Sequence, residues 1–294
     1  MHSKFTPVLP FQAVAYLDSI AVLTNRPPGP YLIDAMMAHA GDAFKDEEYE
    51  AVPGYVRLWV HQPRAGVYDL LEQLHKPRVQ QVHVAFDIPA ASRDEAAAND
   101  RYLNSRITQR WRRSEEFNID RNTRYSSRDP RRKVTLAGYH DKPDRFDEHG
   151  RPCAHLEYRL VRCGTCRRRG LASVEAVRRL DPVAWLRREL VLGEVDTRQL
   201  GRQFNGRPKA KHPDLRPGKR QSNGWGQPYD RDLKTGMHIA QKATASREAG
   251  HRTEAISTQA VRDAFADKPW FNPRSAIKKL DPAAYLHLHN LAPT

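Results

Sequence analysis

The stretch that decides the fold is residues 80–88, which read Gln-Gln-Val-His-Val-Ala-Phe-Asp-Ile. Apolar and polar side chains alternate along it with the period of two that a β-strand requires. Val82 and Phe86 face one way, whereas His83 and Asp87 face the other. The sequence therefore predicts a strand with one side in a hydrophobic core and an imidazole and a carboxylate on its other side.

A later strand shows the same alternation. Its polar face carries His155, Glu157 and Arg159, and its other face is apolar. If the two polar faces meet in a sheet, their imidazoles and carboxylates converge. Carboxylates suit Mg²⁺, and Mn²⁺ also accepts imidazole. We therefore expect His83, Asp87, His155 and Glu157 to converge on a candidate site for Mg²⁺ or Mn²⁺.

The elements around these two strands predict an α+β fold with a central, mostly antiparallel sheet flanked by helices. Strands are predicted over Ala13–Thr24, Tyr55–His61, Gln80–Ile88, Lys133–Tyr139 and His155–Val161. Helices are predicted over Tyr31–Ala43, Val67–His75 and Ser92–Trp111.

The composition changes after residue 195, where prolines, glycines and basic residues replace aliphatic ones. Such a segment buries too little apolar surface to form a core. We expect an α+β domain over 13–195, a basic Pro/Gly-containing linker or loop over 196–250, and a small helical tail over 251–294. Its helices are predicted over Ser257–Phe265 and Pro273–Leu280.

Two similar Asp-Pro steps stand on either side of this linker, at Asp181-Pro182 and Asp281-Pro282. An aspartate can cap the free amides of a helix, and proline suits the first helical position. Each step therefore predicts the start of a helix.

The chain is strongly basic, with 49 Lys and Arg against 35 Asp and Glu, a net charge of +14 and a pI of about 9.9. Polyanions are the expected partners of such a chain. The positive charge is concentrated in Pro- and Gly-containing stretches, which suits the phosphate backbone of DNA better than a membrane surface. The residues predicted to bind nucleic acid are Arg131, Arg132, Lys133, Arg145, Arg207, Lys209, Lys211, Lys219 and Arg220.

The N-terminal apolar stretch is interrupted by Pro7, Pro10, Gln12 and Asp18, which argues against a signal peptide. No apolar run approaches the roughly 20 residues of a membrane helix. A soluble, cytoplasmic protein is therefore expected.

The cysteines have two interpretations. Cys153, His155, Cys163 and Cys166 could together hold a structural zinc, but only one C-x-x-C pair is present. The favoured interpretation is a hairpin in which residues 163–166 turn the chain. A disulfide is disfavoured in a reducing compartment.

A tyrosine nucleophile is suggested by the segment in which Tyr139 ends a strand and Lys142 follows three residues later. A phenol attacks phosphorus when its proton is removed or its charge is stabilised, and a nearby lysine or metal does this. Tyr125 and Tyr158 are the competing tyrosines, although Tyr158 is expected to point away from the polar face.

Taken in order, these motifs resemble the rolling-circle replication initiators of small plasmids and the related replication endonucleases of filamentous phages. The resemblance covers roughly residues 13–190. The matching motifs are Tyr16–Ile20, Val82–Asp87, Thr135–Gly138, Tyr139–Lys142 and His155–Arg159. Two features depart from the family pattern: His83 stands where an acid is expected, and the spacer between Gly138 and Tyr139 is short.

The resemblance implies a DNA-nicking and strand-joining endonuclease that initiates replication. Tyr139 would attack origin DNA, form a 5′-phosphotyrosyl link and release a 3′-OH, with Lys142 stabilising charge. Asp87, Glu157 and His83 would hold the divalent metal. The implied partners are single-stranded or hairpin origin DNA, host replication proteins and a second copy of the chain.

Two other classes of function stay open at this point. One is a basic DNA- or RNA-binding protein without catalysis. The other is a metal-dependent nuclease in which water attacks and Tyr139 is structural. A covalent protein–DNA adduct separates a tyrosine enzyme from both.

Overall fold

A computed structural model describes most of the chain. The described residues are 11–40, 49–52, 54–107, 115–118, 123–127, 134–140, 143, 149–206, 258, 261–262, 265 and 271–290. The strands are β1 (Ala13–Thr24), β2 (Tyr49–Val52), β3 (Tyr55–His61), β4 (Arg78–Pro89), β5 (Glu115–Asn118), β6 (Thr123–Ser127), β7 (Val134–Tyr139), β8 (Cys153–Val161), β9 (Leu192–Val195), β10 (Ile277–Leu280) and β11 (Leu288–Asn290). The helices are α1 (Pro30–Ala40), α2 (Ala65–Glu72), α3 (Arg93–Asn104), α4 (Cys163–Arg168), α5 (Val174–Arg178), α6 (Pro182–Glu189), α7 (Thr197–Gly206), α8 (Pro273–Ala276) and α9 (Pro282–Leu286).

The main sheet has nine strands within the described residues. Eight follow the order β2-β3-β1-β4-β8-β7-β6-β5 with antiparallel neighbours, and β11 pairs parallel with β1. The predicted α+β class with a mostly antiparallel sheet is therefore confirmed. The strands predicted over Ala13–Thr24 and Tyr55–His61 form with those bounds.

The apolar face of the sheet forms the hydrophobic core. Val82, Val84 and Phe86 of β4 are fully buried. The ring of Tyr158 on β8 meets the ring of Trp185 on α6 edge to face, with centroids 5.1 Å apart. Helices therefore cover this face, and the opposite face is left for the polar side chains of the same strands.

Both Asp-Pro steps start helices, as predicted. The Asp181 carboxylate accepts a hydrogen bond from the Ala184 amide at 3.1 Å, and the Asp281 carboxylate accepts one from Ala283 at 3.2 Å. The bond from the Ala184 amide lowers the pKa of Asp181, because it stabilises the ionised carboxylate.

Two predictions about the later part of the chain are wrong. Only Pro273–Ala276 of the helix predicted over Pro273–Leu280 is helical, because Ile277–Leu280 pairs antiparallel with β9 as a strand. Residues 163–166 do not turn a hairpin but begin helix α4. For Ile277–Leu280 a partner distant in sequence decides the conformation, because these residues pair with β9. In α4, the Cys166 thiol donates to the Gln80 carbonyl of β4 at 3.4 Å.

The helix predicted over Ser92–Trp111 is shorter than expected: it covers Arg93–Asn104. Residues 105–107 continue as a turn and an isolated bridge from Ile107 to Leu192, and Trp111 lies outside the described residues.

The described residues form two compact units. The larger one contains residues within Leu9–Arg101, Gln109–Val191 and Asp281–Thr294, and the smaller one contains residues within Tyr102–Thr108 and Leu192–Leu280. The larger unit holds the main sheet, and the smaller unit holds the β9–β10 ribbon. Within the described residues, no helix is long and apolar enough to cross a bilayer.

Candidate metal centre

The polar face of the sheet brings together side chains from β1, β4, β7 and β8. Strands β4 and β8 are neighbours, with His83 opposite Arg159 and Asp87 opposite His155. On the far side of β8, Tyr139 of β7 lies opposite His155. Residues opposite each other in a sheet point to the same face. The expectation that the polar faces of the two strands meet is therefore confirmed.

Three buried side chains on this face form a group that could hold a metal ion. One ligand atom from each of Asp18, His83 and Glu157 lies within 4.8 Å of the other two. Their residues are only 4%, 6% and 2% exposed, respectively. His83 Nδ1 and Glu157 Oε1 are 2.5 Å apart.

A β-bulge brings Asp18 into this group. Along β1, Leu17 is opposite Val84 and Ser19 is opposite His83, so Asp18 is an extra residue without a partner on β4. A bulge of this kind bends the strand and redirects a side chain. On the other side of β1, the Asp18 carbonyl accepts a hydrogen bond from the Gln62 amide at 2.6 Å.

Neighbouring polar groups hold the two carboxylates of this group in place. The Ser19 hydroxyl donates to Asp18 Oδ2 at 2.6 Å and lies 2.9 Å from His61 Nδ1. Arg159 Nη2 donates to Glu157 Oε2, also at 2.6 Å. Both carboxylates are therefore oriented by a second layer of hydrogen bonds, as metal ligands commonly are.

Asp87 belongs to a different group on the same face. Its Oδ1 lies 2.5 Å from His155 Nδ1, and its Oδ2 accepts a hydrogen bond from the Tyr16 hydroxyl at 3.2 Å. All three residues are buried. The link to the first group is His155 Nε2, which lies 3.9 Å from Glu157 Oε2. The structure thus brings His83 and Glu157 together as predicted, but pairs Asp87 with His155.

Tyr139 lies beside this second group. Its ring stacks on the His155 ring with centroids 4.2 Å apart and an interplanar angle of 21°. Its residue is 5% exposed. Tyr158 faces the helices on the opposite side of the sheet, as expected. The Tyr125 backbone pairs with Ala137 on β7, and its side chain is not among those described.

The charges at the site shift two pKa values. Burial by itself would raise the pKa of Glu157, but hydrogen bonds with His155 and His83 and the charges of His83 and Arg159 hold that pKa well below its usual range. Burial by itself would lower the pKa of His155, yet hydrogen bonds with Asp87 and Glu157 raise that pKa to about 9. Glu157 is therefore an ionised carboxylate, the form that binds metal.

The residues present fit a divalent cation. Two ionised carboxylates no more than 4.8 Å apart would repel each other by about 3.5 kcal/mol or more at an effective dielectric constant of about 20, and a cation between them removes this cost. His83 Nε2 is buried without a hydrogen-bond partner. Two oxygen donors and an imidazole suit Mn²⁺, and the carboxylates alone suit Mg²⁺.

The residues of the possible but unfavoured zinc site, Cys153, His155, Cys163 and Cys166, do not share one site. Cys153 is the first residue of β8, and Cys163 and Cys166 follow the other end of that strand, about 26 Å away at ~3.3 Å per residue. A tetrahedral zinc site needs all its ligands within about 2.3 Å of the metal. Burial raises the pKa of the Cys166 thiol to about 12, which disfavours the thiolate that zinc requires.

Several predicted site residues lie outside the described residues. They are Lys142 and all of the basic residues predicted to bind nucleic acid: Arg131, Arg132, Lys133, Arg145, Arg207, Lys209, Lys211, Lys219 and Arg220. Their roles stay predictions.

Sequence reasoning did not assign Asp18 to the metal site, although a signal was present. Asp18 is the sole charged residue in the twelve residues of β1, AVAYLDSIAVLT. An acid in a buried strand needs a partner, because an unpaired buried charge is costly. The supporting pair of Ser19 and His61 had no such signal, since their contact joins two strands.

The chain is similar to one class of solved structure. No family model matches the chain, and no curated protein matches it. Among solved structures, the chain is similar to a rolling circle replication initiator protein from Geobacillus stearothermophilus. The two are 10% identical over 60% of this chain and 84% of that chain, with a TM-score of 0.36.

Proposed function

We propose that this chain is a metal-dependent DNA-nicking enzyme that initiates replication. The observation that carries the proposal is the polar sheet face, on which Asp18, His83 and Glu157 gather beside a tyrosine stacked on His155. Carboxylates and an imidazole suited to a divalent cation, next to a phenol, are what tyrosine-mediated phosphoryl transfer requires. The strongly basic chain supports DNA as the substrate.

In the proposed reaction the Tyr139 oxygen gives up its proton to water and bonds to phosphorus. The bond between phosphorus and the 3′ oxygen breaks, and that oxygen takes a proton from water to become a free 3′-OH. The products are a 5′-phosphotyrosyl link and a primer end. When bound at the site, Mg²⁺ or Mn²⁺ polarises the phosphoryl oxygens and offsets their negative charge.

The surrounding side chains position the reacting groups. Asp18, His83 and Glu157 would hold the cation. Asp87 fixes the orientation of the His155 ring, on which Tyr139 stacks. Positioning of this kind accounts for much of the catalysis in phosphoryl transfer.

Further partners and roles follow from the same proposal. Lys142 would stabilise the charge that develops near Tyr139. Single-stranded or hairpin origin DNA is the proposed substrate, and host replication proteins and a second copy of the chain are the proposed partners. The proposed place of action is the cytoplasm.

A second candidate function is a metal-dependent nuclease in which water attacks. The observation that favours it is the low exposure of Tyr139, since a nucleophile must reach the phosphate and this residue is 5% exposed. Both candidates need the same metal site, so the fate of the cleaved DNA distinguishes them.

The test incubates the full chain with a randomised pool of single-stranded DNA, labelled at the 3′ end, in the presence of Mn²⁺. A tyrosine attack leaves the labelled 3′ fragment attached to the protein through SDS denaturation, and EDTA abolishes the attachment. Sequencing of the attached DNA then identifies the nicking site. Cleaved DNA without label on the protein would support the water nuclease, and binding without cleavage would contradict both.

Replacing Asp87 by Asn tests whether this residue binds the metal. We expect Asp87→Asn to weaken Mn²⁺ binding by about 10-fold, the lower end of the range for groups beyond the ligands, because Asp87 reaches the three-residue group only through His155. Adduct formation should fall, since the His155 ring loses the Asp87 carboxyl group that orients it. Isothermal titration with Mn²⁺ measures the first effect; a loss of Mn²⁺ binding as large as that of Asp18→Asn would make Asp87 a ligand.

A further inference from the structure

Exposure increases along the end of β8, from the buried Glu157 of the candidate metal centre to two arginines that follow it in the chain. Glu157 is 2% exposed, and the Arg159 side chain two residues later is 27% exposed. The strand ends at Val161, and the next residue, Arg162, is exposed. At ~3.3 Å per residue, Arg162 lies about 17 Å along the chain from Glu157.

Helix α4 follows Arg162 directly in the chain and carries two more arginines. Arg167 and Arg168 in its last turn are both exposed. Arg168 donates a long hydrogen bond to the Thr165 hydroxyl, and among the described residues neither Arg167 nor Arg162 is in an ion pair. Arg162, Arg167 and Arg168, together with Arg159, are called the β8–α4 arginine track below.

Arginines on the next helices behave differently. Arg178 pairs with Asp69 at 2.6 Å, Arg179 pairs with Glu175, and Arg187 pairs with Asp281 at 2.6 Å. Their positive charge is therefore compensated within the protein, whereas the charge at the end of the β8–α4 arginine track is available to a partner.

Arg162 has a strained backbone conformation. Its φ of 83° and ψ of 137° fall in a region that glycine occupies easily and that strains a residue with a Cβ. A glycine would make the same turn without strain. Strained residues of this kind are found where the side chain has a function.

We infer that the β8–α4 arginine track binds the phosphate backbone of the single-stranded DNA that flanks the scissile phosphate. The inference rests on the proposed function, because it takes the metal centre as the point of cleavage. Guanidinium groups suit phosphates, since they present several donors and keep their charge. The 17 Å or so between Glu157 and Arg162 allows a few nucleotides to extend from the site to the surface.

The test compares variants of the full chain by fluorescence anisotropy with a labelled single-stranded oligonucleotide, from ~50 to ~200 mM salt. Arg167→Ala/Arg168→Ala should weaken binding about 10-fold at physiological salt and reduce the slope of log K against log salt by about 1.4. The matched control, Arg178→Ala/Arg179→Ala, removes the same charge from an adjacent pair of exposed arginines and should change the affinity less than about 2-fold.

Arg162→Gly distinguishes a loss of DNA affinity from a loss of stability. We expect roughly 4-fold weaker DNA binding together with an unchanged or higher melting temperature, because glycine relieves the positive φ. The inference would be overturned if Arg167→Ala/Arg168→Ala and its control lost DNA affinity equally. It would also be overturned if Arg162→Gly bound DNA with wild-type affinity. Wild-type protein that binds DNA through this track but neither nicks it nor forms an adduct would overturn the proposed function alone, and wild-type protein that binds no DNA would overturn both.

Discussion

Tyr139→Phe should fold and bind DNA like the wild type but form no covalent DNA adduct. The substitution keeps the ring that stacks on His155 at 4.2 Å and removes only the hydroxyl oxygen that would bond to phosphorus. No other group in the proposed mechanism can form the phosphotyrosyl link, so the loss should be complete. Denaturing gels of the Mn²⁺ reaction with labelled DNA measure the adduct, and anisotropy measures binding.

Two other tyrosines serve as controls for Tyr139. Tyr158→Phe should retain the adduct, because the Tyr158 ring packs against Trp185 on the apolar side of the sheet. Tyr125→Phe should retain it as well. Mass spectrometry of the trapped adduct identifies the modified residue. A nucleotide found on Tyr16, whose hydroxyl lies 3.2 Å from Asp87, would move the nucleophile to strand β1 and keep the class of enzyme.

Glu157→Gln should lose both Mn²⁺ binding and nicking. Glu157 is the central carboxylate of the site, with contacts to His83, Arg159 and, at 3.9 Å, His155. The amide has nearly the same shape but carries no charge, so a buried cation would lose half of its carboxylate ligands. Changes beyond the ligands of a metal typically cost 10–100-fold in affinity, and we expect a ligand to cost more than about 100-fold. Titration with Mn²⁺ followed by paramagnetic resonance measures this directly.

Glu189→Gln is the matched control for this substitution. Glu189 is also a buried glutamate, 8% exposed, and it is paired with Arg169 and Arg188 on the helical side of the fold. Its replacement should affect stability without changing Mn²⁺ affinity. If Glu157→Gln bound Mn²⁺ like the wild type, the group of Asp18, His83 and Glu157 would not be the metal site, whatever the outcome of the tyrosine experiments.

The sequence alone determined the features that depend on local patterns. Period-two alternation predicted that His83 and Asp87 share the polar face of β4 and that Glu157 lies on the polar face of β8, because side chains alternate in any strand. The two Asp-Pro steps predicted helix starts, because capping involves only residues within one turn. These contacts need no information from elsewhere in the chain.

Contacts between distant residues were decided by the tertiary structure. The pattern of β4 presents His83 and Asp87 as equivalent, yet His83 meets Glu157 while Asp87 meets His155, because the register of β4 on β8 sets which side chains are neighbours. Asp18 enters the metal group only through the bulge between Leu17 and Ser19. A bulge is a mismatch between two paired strands, so it has no signature in one strand by itself.

The C-terminal residues make the same point. Ile277–Leu280 and Leu288–Asn290 have only four and three residues, and they lie in a tail that the sequence predicts to be helical. Neither segment has a sequence pattern long enough to predict a strand. They become strands because β9 and β1 offer them free backbone donors and acceptors, and a buried amide or carbonyl must be hydrogen-bonded. Local propensity is worth a few tenths of a kcal/mol per residue, up to about 1, so a partner supplied by the fold decides the outcome.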